Sequence, residues 1–234
     1  MPPDKLNLKA VYRLRFSDSE RIAMSAVWRV LIDHAFQRWV KPTDAVLDVG
    51  AGLCNFINNI RAARRVAMDA DPSVAERCQD GVIFVHAEHL AECGSLGPFD
   101  VVFISNLLEH LANSEAVLEF LCATRRLLKP NGRVMILQPN FALIGAAYFD
   151  FIDHKTILTD KSLIEALELN CFKIEYVKCR FLPYTSKSSI PKAPWMVRLY
   201  LALPFIQYFM GKQTFIVASS PSSESAHPAG SALL

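Results

Sequence analysis

The chain is 234 residues long, 52% apolar, 10% aromatic and 21% charged, with a net charge of +2 and a pI near 8.2. That length predicts one domain with additions, and that composition excludes a largely disordered or fibrous protein, because the chain can bury a sizeable core. The balanced charge argues against a dedicated DNA-binding protein. The six cysteines (Cys54, Cys78, Cys93, Cys122, Cys171, Cys179) form no Cys-x-x-Cys pair and no metal-ligand spacing, and read as buried thiols of a reducing compartment. The opening MPPDKLNLKAVYRLRF has no apolar core of a signal peptide, and the longest apolar run, over 141–149, is nine residues. The expectation is a cytoplasmic protein.

In chain order, 18–40 reads as a helix, with Ser17 or Ser19 as cap, Glu20 in the first turn and Ile22, Ala26, Val30, Ala35 and Trp39 at helical spacing. Pro42 closes it, so 1–41 forms an N-terminal helical cap. Five short β-branched runs follow, at 45–49, 66–69, 82–85, 100–105 and 133–138, separated by helical patterns near 53–64, 72–79 and 113–128. Strands alternating with helices require parallel pairing through crossovers, which makes the class α/β and doubly wound. An aromatic segment occupies 139–155, and Thr159 or Asp160 caps a helix over 161–170. Two more strands, 172–181 and 213–219, flank a proline-containing insertion at 182–211 and complete a domain spanning 42–219. The Ser/Pro/Ala/Gly-rich stretch 220–234 reads as a disordered tail.

The strongest local signal is Val46-Leu47-Asp48-Val49-Gly50-Ala51-Gly52, a buried strand running into two glycines at its ligand-facing end. A dinucleotide fingerprint would place a third glycine at 55, where this chain has Asn. Twenty-one residues beyond Asp48, a second strand ends in Asp69, whose carboxylate can accept from both hydroxyls of a ribose. The two signals together point to a nucleoside site; the glycines alone would also suit an ordinary tight turn.

VLDVGAGLCNFI, VAMDADPS, VHAEHL, FDVVFISNLLEHL and LLKPNGRVMILQPN, in that order, resemble the class I S-adenosylmethionine-dependent methyltransferases, in particular the biosynthetic small-molecule branch. The resemblance covers about 44–181 and 213–219. It implies a Rossmann-like, mostly parallel seven-stranded sheet with only the last strand reversed, helices on both faces and an α-helical cap. It also implies S-adenosylmethionine as cofactor. Asp48, Gly50, Ala51 and Gly52 would line its methionine side, Asp69 would hold the ribose, and Ala70 would lie beside the adenine. At the adenine position the family often has an acid followed by Ala. This chain has His86 and Ala87, so either the imidazole or the Ala87 backbone would serve. Ser105 and Asn106 would sit next to the cofactor's amino-acid end.

Methyl transfer needs few protein groups beyond those that align the acceptor and, for some acceptors, remove a proton. His154 and His110 are the candidate bases because an imidazole titrates near working pH; the plainer alternative is helix capping or packing for His154 and a structural role of the Leu108-Glu109-His110 segment for His110. Some relatives carry Glu-x-x-Glu-His after the fourth strand as part of a metal site. Here Asn106 replaces the first Glu, and Glu109 and His110 with a distant His154 leave too few oxygen donors for a hard cation, so no metal is expected.

Between Tyr176 and Ser223 there is no acidic residue, while Lys178, Arg180, Lys187, Lys192, Arg198 and Lys212 are basic. The apolar run 195–210 within it reads as a cap over an apolar or anionic acceptor, a peripheral membrane contact through 193–210, or a helix packed under the cap or in a homodimer interface. The expected activity is methyl transfer, on oxygen first, to a small-molecule, sugar or lipid-linked acceptor. The alternative is a catalytically silent cofactor-binding module acting through its basic apolar insertion. Nucleic acid is not an expected partner, because no Asn/Asp-Pro-Pro-aromatic motif follows the fourth strand.

Overall fold

The computed structural model describes residues 18–184 and 193–222. The predicted alternation becomes five parallel strands: β1 (Ala45–Val49), β2 (Arg64–Asp69), β3 (Val82–His86), β4 (Phe99–Ser105) and β5 (Leu128–Pro139). With β6 (Lys173–Leu182) and β7 (Gln213–Ser219) they form one seven-stranded sheet of order β3-β2-β1-β4-β5-β7-β6, in which β7 is antiparallel to both neighbours. The fold is therefore the doubly wound, Rossmann-like α/β arrangement expected from the sequence. Strand order reverses between β1 and β4, and ligands of open α/β sheets bind outside the carboxyl ends of the strands at such a switch point.

The strands carry apolar residues on both sides because both faces are covered. In β4, Val101 and Phe103 face one cluster and Val102 and Ile104 the other; in β7, Phe215 and Val217 alternate with Ile216 and Ala218. One face packs on α2 (Ser114–Leu127) and α4 (Asp160–Leu169), which bring Val117, Leu121, Leu163 and Leu167 into the core. The other is built around Phe36, fully buried among the rings of Trp28, Phe56, Phe103, Phe181 and Phe215 at 5.0–6.1 Å.

Several elements depart from the sequence reading. The helix expected over 18–40 is α-helical only in α1 (Asp18–Leu31); it widens to a π turn at Ile32–Phe36 and tightens to a 3-10 turn at Gln37–Trp39. No helix forms over 53–64. That stretch is a series of turns, in which Asn59 Nδ2 donates to the Asn55 carbonyl and Asn58 Nδ2 reaches the Arg77 carbonyl. Asparagine side chains compete for backbone partners in this way, and Cys54, at φ +55, lies outside the helical region. The pattern near 72–79 is a 3-10 helix, Pro72–Arg77, capped by Asp71.

After β5 come a helical turn, α3 (Phe141–Ile144), and a 3-10 segment, Gly145–Asp150. Within the insertion, α5 (Pro194–Ala202) and α6 (Pro204–Met210) are separate, because Pro204 cannot continue the preceding helix. Ordered contacts run past 219: Ser220 is buried, its N–H donates to the Gly132 carbonyl and its hydroxyl to the Lys129 carbonyl. The rest of the expected tail, from 223, and the stretch 1–17 of the expected N-terminal cap lie outside the described residues.

Candidate functional site

A cavity of about 730 Å³ lies over the carboxyl ends of β1 and β4, roofed by α5 and α6 and flanked by α1. Its floor is the loop after β1. Gly50 (φ +69), Gly52 (φ +51) and Cys54 (φ +55) all adopt the left-handed conformation, and the N–H groups of Gly50 and Ala51 both donate to the Met68 carbonyl on β2. The positive φ favours glycine at position 50, and a Cβ there would also lie 3.1 Å from Leu107 Cδ1, a tight approach that this side chain would have to relieve.

Two carboxylates stand behind this loop. Asp48 is buried and accepts from the Ile57 N–H; burial, with Asp69 nearby, pushes its pKa up to about 8. Asp69 accepts from the Gly52 N–H (2.9 Å) on one oxygen and from the Asp71 N–H (2.9 Å) on the other. Each oxygen keeps a lone pair for a further donor.

The predicted cofactor residues divide into two groups. Asp48, Gly50, Ala51, Gly52, Ser105 and Asn106 line the cavity. Asp69, Ala70, His86 and Ala87 sit beside it at the ends of β2 and β3, where Asp69 pairs with His86. His86 Nε2 is 3.1 Å from the Ala70 carbonyl, which can only accept, so this nitrogen carries the proton and Nδ1 is left as an acceptor. The Ala87 N–H donates to the Asp69 carbonyl and is not free for adenine. Asn106, at φ +49, donates from Nδ2 to Ser105 Oγ.

At the other end of the cavity the two candidate bases meet. Their rings lie 5.2 Å apart, edge to face, so His154 is not distant from His110 as sequence separation implied. His110 Nδ1 donates to the Asp153 carbonyl at 3.0 Å, which leaves Nε2 bare. His154 is stacked on Phe151 at 5.1 Å and packed against Tyr148 at 4.6 Å, with the Tyr184 hydroxyl 3.5 Å from Nδ1.

Glu109 is buried beneath them. Gln138 Nε2 donates to its Oε2 (3.0 Å), Oε1 lies 4.0 Å from His110 Nε2, and burial raises its pKa above the usual carboxylate range. Among the described residues, Glu109, His110 and His154 bring ligand atoms within 4.8 Å of one another, although no metal was expected there. The set offers one carboxylate oxygen and two imidazole nitrogens, not the oxygen-rich shell of a hard cation.

Phe151, Tyr184, Trp28, Tyr200 and Gln213 also line the cavity, without having been singled out as site residues. A partial signal existed for Tyr184. It follows Leu182-Pro183 at the end of β6, as Asn140 follows Gln138-Pro139 at the end of β5, and both strands deliver side chains to the same rim.

A family model described as a methyltransferase domain matches residues 21–182. No curated protein sequence matches the chain. Among solved structures, a SAM dependent methyltransferase from Archaeoglobus fulgidus is 21% identical, with a TM-score of 0.57, covering 86% of this chain and 94% of that one. The N-methyltransferase NodS from Bradyrhizobium japonicum WM9, in complex with S-adenosyl-l-homocysteine, is 11% identical with a TM-score of 0.56, covering 90% and 92%. An O-methyltransferase family protein from Burkholderia thailandensis is 14% identical with a TM-score of 0.59, covering 88% of this chain and 60% of that one. At these identities the structural likeness is one of fold.

Proposed function

This chain belongs to the methyltransferase-domain family, and from that premise we propose that it moves a methyl group from S-adenosylmethionine to a small-molecule acceptor, on oxygen. The observation that carries the reading is the cradle at the end of β1. A glycine loop in the left-handed conformation opens onto a cavity, and the Asp69 carboxylate bonded to the Gly52 N–H has acceptor capacity left. These residues fit a nucleoside carrying an amino-acid arm. Asp69 takes the ribose hydroxyls, His86 Nδ1 and Ala70 border the base, and Asp48, the glycine loop, Ser105 and Asn106 receive the polar arm. The cofactor supplies an electrophilic methyl on a sulfonium, which leaves the protein to align the acceptor and take its proton.

His110 does the second task. Its Nδ1–H is fixed by the Asp153 carbonyl, so the bare Nε2 can accept a hydroxyl proton from an acceptor in the cavity. When ionised, the buried Glu109 carboxylate, 4.0 Å from Nε2, favours the imidazolium that results. His154, held between Phe151 and Tyr148, forms with Tyr184 the wall against which the acceptor lies. The wall and roof are largely aromatic and aliphatic, which suits an acceptor with an apolar body.

The first test is calorimetric titration with S-adenosylhomocysteine, with NAD as control. Binding of the former alone is expected; a folded protein that binds neither, or that binds NAD, refutes the reading. Transfer of labelled methyl from S-adenosylmethionine to hydroxylated acceptors then tests the oxygen assignment, which turnover confined to amines would overturn.

A further inference from the structure

We propose that the outer face of α5 and α6 docks the protein on an anionic lipid surface. Both helices are apolar on two sides. Their inner residues, among them Met196, Tyr200 and Met210, face the cavity. Phe205 (61% exposed), Tyr208 (62%) and Phe209 (75%) on α6 face water outside the cavity, and Trp195 (64%) and Leu199 (49%) on α5 are exposed at its rim, which they also line. The spacing of four puts Trp195 and Leu199 on one side of α5, and spacings of three and four do the same for Phe205, Tyr208 and Phe209 on α6, which follows α5 directly. Single exposed apolar residues are ordinary on a protein surface, whereas five exposed within fifteen residues of sequence, three of them on one side of α6, mark a contact surface.

The charge around this face identifies the partner. Arg198, exposed, lies between Trp195 and Leu199 in the sequence of α5. Arg180 donates to the Tyr208 carbonyl at 2.8 Å, with its guanidinium 4.9 Å from the centre of the Tyr208 ring. No acidic residue occurs anywhere from Tyr176 to Ser223. A second copy of the chain meeting this face about a two-fold axis would set these arginines against their own kind, whereas anionic headgroups complement them. Trp, Tyr and Arg around an apolar patch are also the residues that settle at a headgroup boundary.

The geometry suits a helix pair lying in the plane of the interface. No helix among the described residues is long and apolar enough to cross a membrane. Nine residues of α5 reach about 14 Å, roughly half the hydrocarbon thickness of a bilayer. Because these helices also roof the cavity, docking would bring the site next to the lipid. The proposal rests on this surface and not on the reaction assigned to the site.

The test is flotation of the full chain with phosphatidylcholine vesicles, with and without phosphatidylglycerol. Binding is expected on the anionic vesicles and should weaken with salt. Phe205→Ser and Phe209→Ser together, both outside the cavity lining, should weaken it about tenfold or more while leaving the melting temperature near the parent's. Arg198→Gln should weaken it about fivefold. The parent should also show a vesicle-induced blue shift of tryptophan fluorescence that Trp195→Phe abolishes. Absence of binding to anionic vesicles overturns the proposal, as does binding that survives the double substitution. A dimer in sedimentation velocity that the double substitution converts to monomer would assign the face to a second copy instead.

Discussion

Asp48→Asn should make the protein more stable relative to its parent as pH rises from 5 to 7. Asp48 is buried, and its pKa is pushed up from 3.8 to about 8, first by loss of hydration and then by the neighbouring Asp69. An acid whose folded pKa lies above its unfolded value gives its full stabilising contribution below the unfolded pKa and loses it as pH rises toward the folded one. Between about pH 4 and pH 8 the unfolded chain carries the ionised side chain and the folded chain the neutral one. Folding therefore takes up a proton, at about 1.4 kcal/mol of stability per pH unit, or about 3 kcal/mol between pH 5 and pH 7. Asparagine keeps an oxygen to accept from the Ile57 N–H and does not titrate. Urea unfolding of both proteins at pH 5, 6, 7 and 8 should thus show a gap that widens by about 1.4 kcal/mol per unit and levels off near pH 8. Parallel curves would mean that Asp48 is ionised in the folded protein and that its surroundings are more polar than their burial implies. The same logic reaches binding. Cationic S-adenosylmethionine arriving beside Asp48 should expel its proton, detectable as a buffer-dependent binding enthalpy that Asp48→Asn removes.

Asp69→Ala removes a charged acceptor and the anchor of the Gly52 N–H, and should lower S-adenosylhomocysteine affinity by about 1–3 kcal/mol in calorimetry; unchanged affinity would refute the ribose assignment. His110→Asn should lower kcat by about 10²–10⁴ on an oxygen acceptor with cofactor affinity intact. If His154→Asn costs more kcat than His110→Asn, the two roles are exchanged. Phe36→Ala empties the centre of the aromatic face and should cost about 3–5 kcal/mol in chemical denaturation; a loss below about 1 kcal/mol would mean that the cluster collapses around the gap.

The sheet was written locally. Its first and last strands, at 45–49 and 213–219, fall at the residues where short β-branched runs placed them, because a strand buried on both faces shows as an apolar run wherever it occurs. The Gly50–Gly52 loop and the acid at the end of β2 were equally legible, since a left-handed turn and an exposed strand end are requirements of a few adjacent residues. The turns at 53–64 were misread as helix, because the apolar spacing of Phe56, Ile57 and Ile60 looks helical, while the asparagines between them bond to backbone partners that include Arg77, distant in sequence. The meeting of His110 with His154 could not be read from spacing at all. It depends on the Asp153 carbonyl turning toward His110 and on Phe151 and Tyr148 holding the imidazole of His154. The same is true of the insertion. Its sequence shows apolar residues all round; the structure turns Met196, Tyr200 and Met210 to the cavity, sets Trp195 and Leu199 at its exposed rim and leaves Phe205, Tyr208 and Phe209 outside it. Period and composition are properties of neighbouring residues, and they determine elements. Which side of an element is covered, and which side chains from separate loops converge, depends on what the rest of the chain packs against it, and that is decided only in three dimensions.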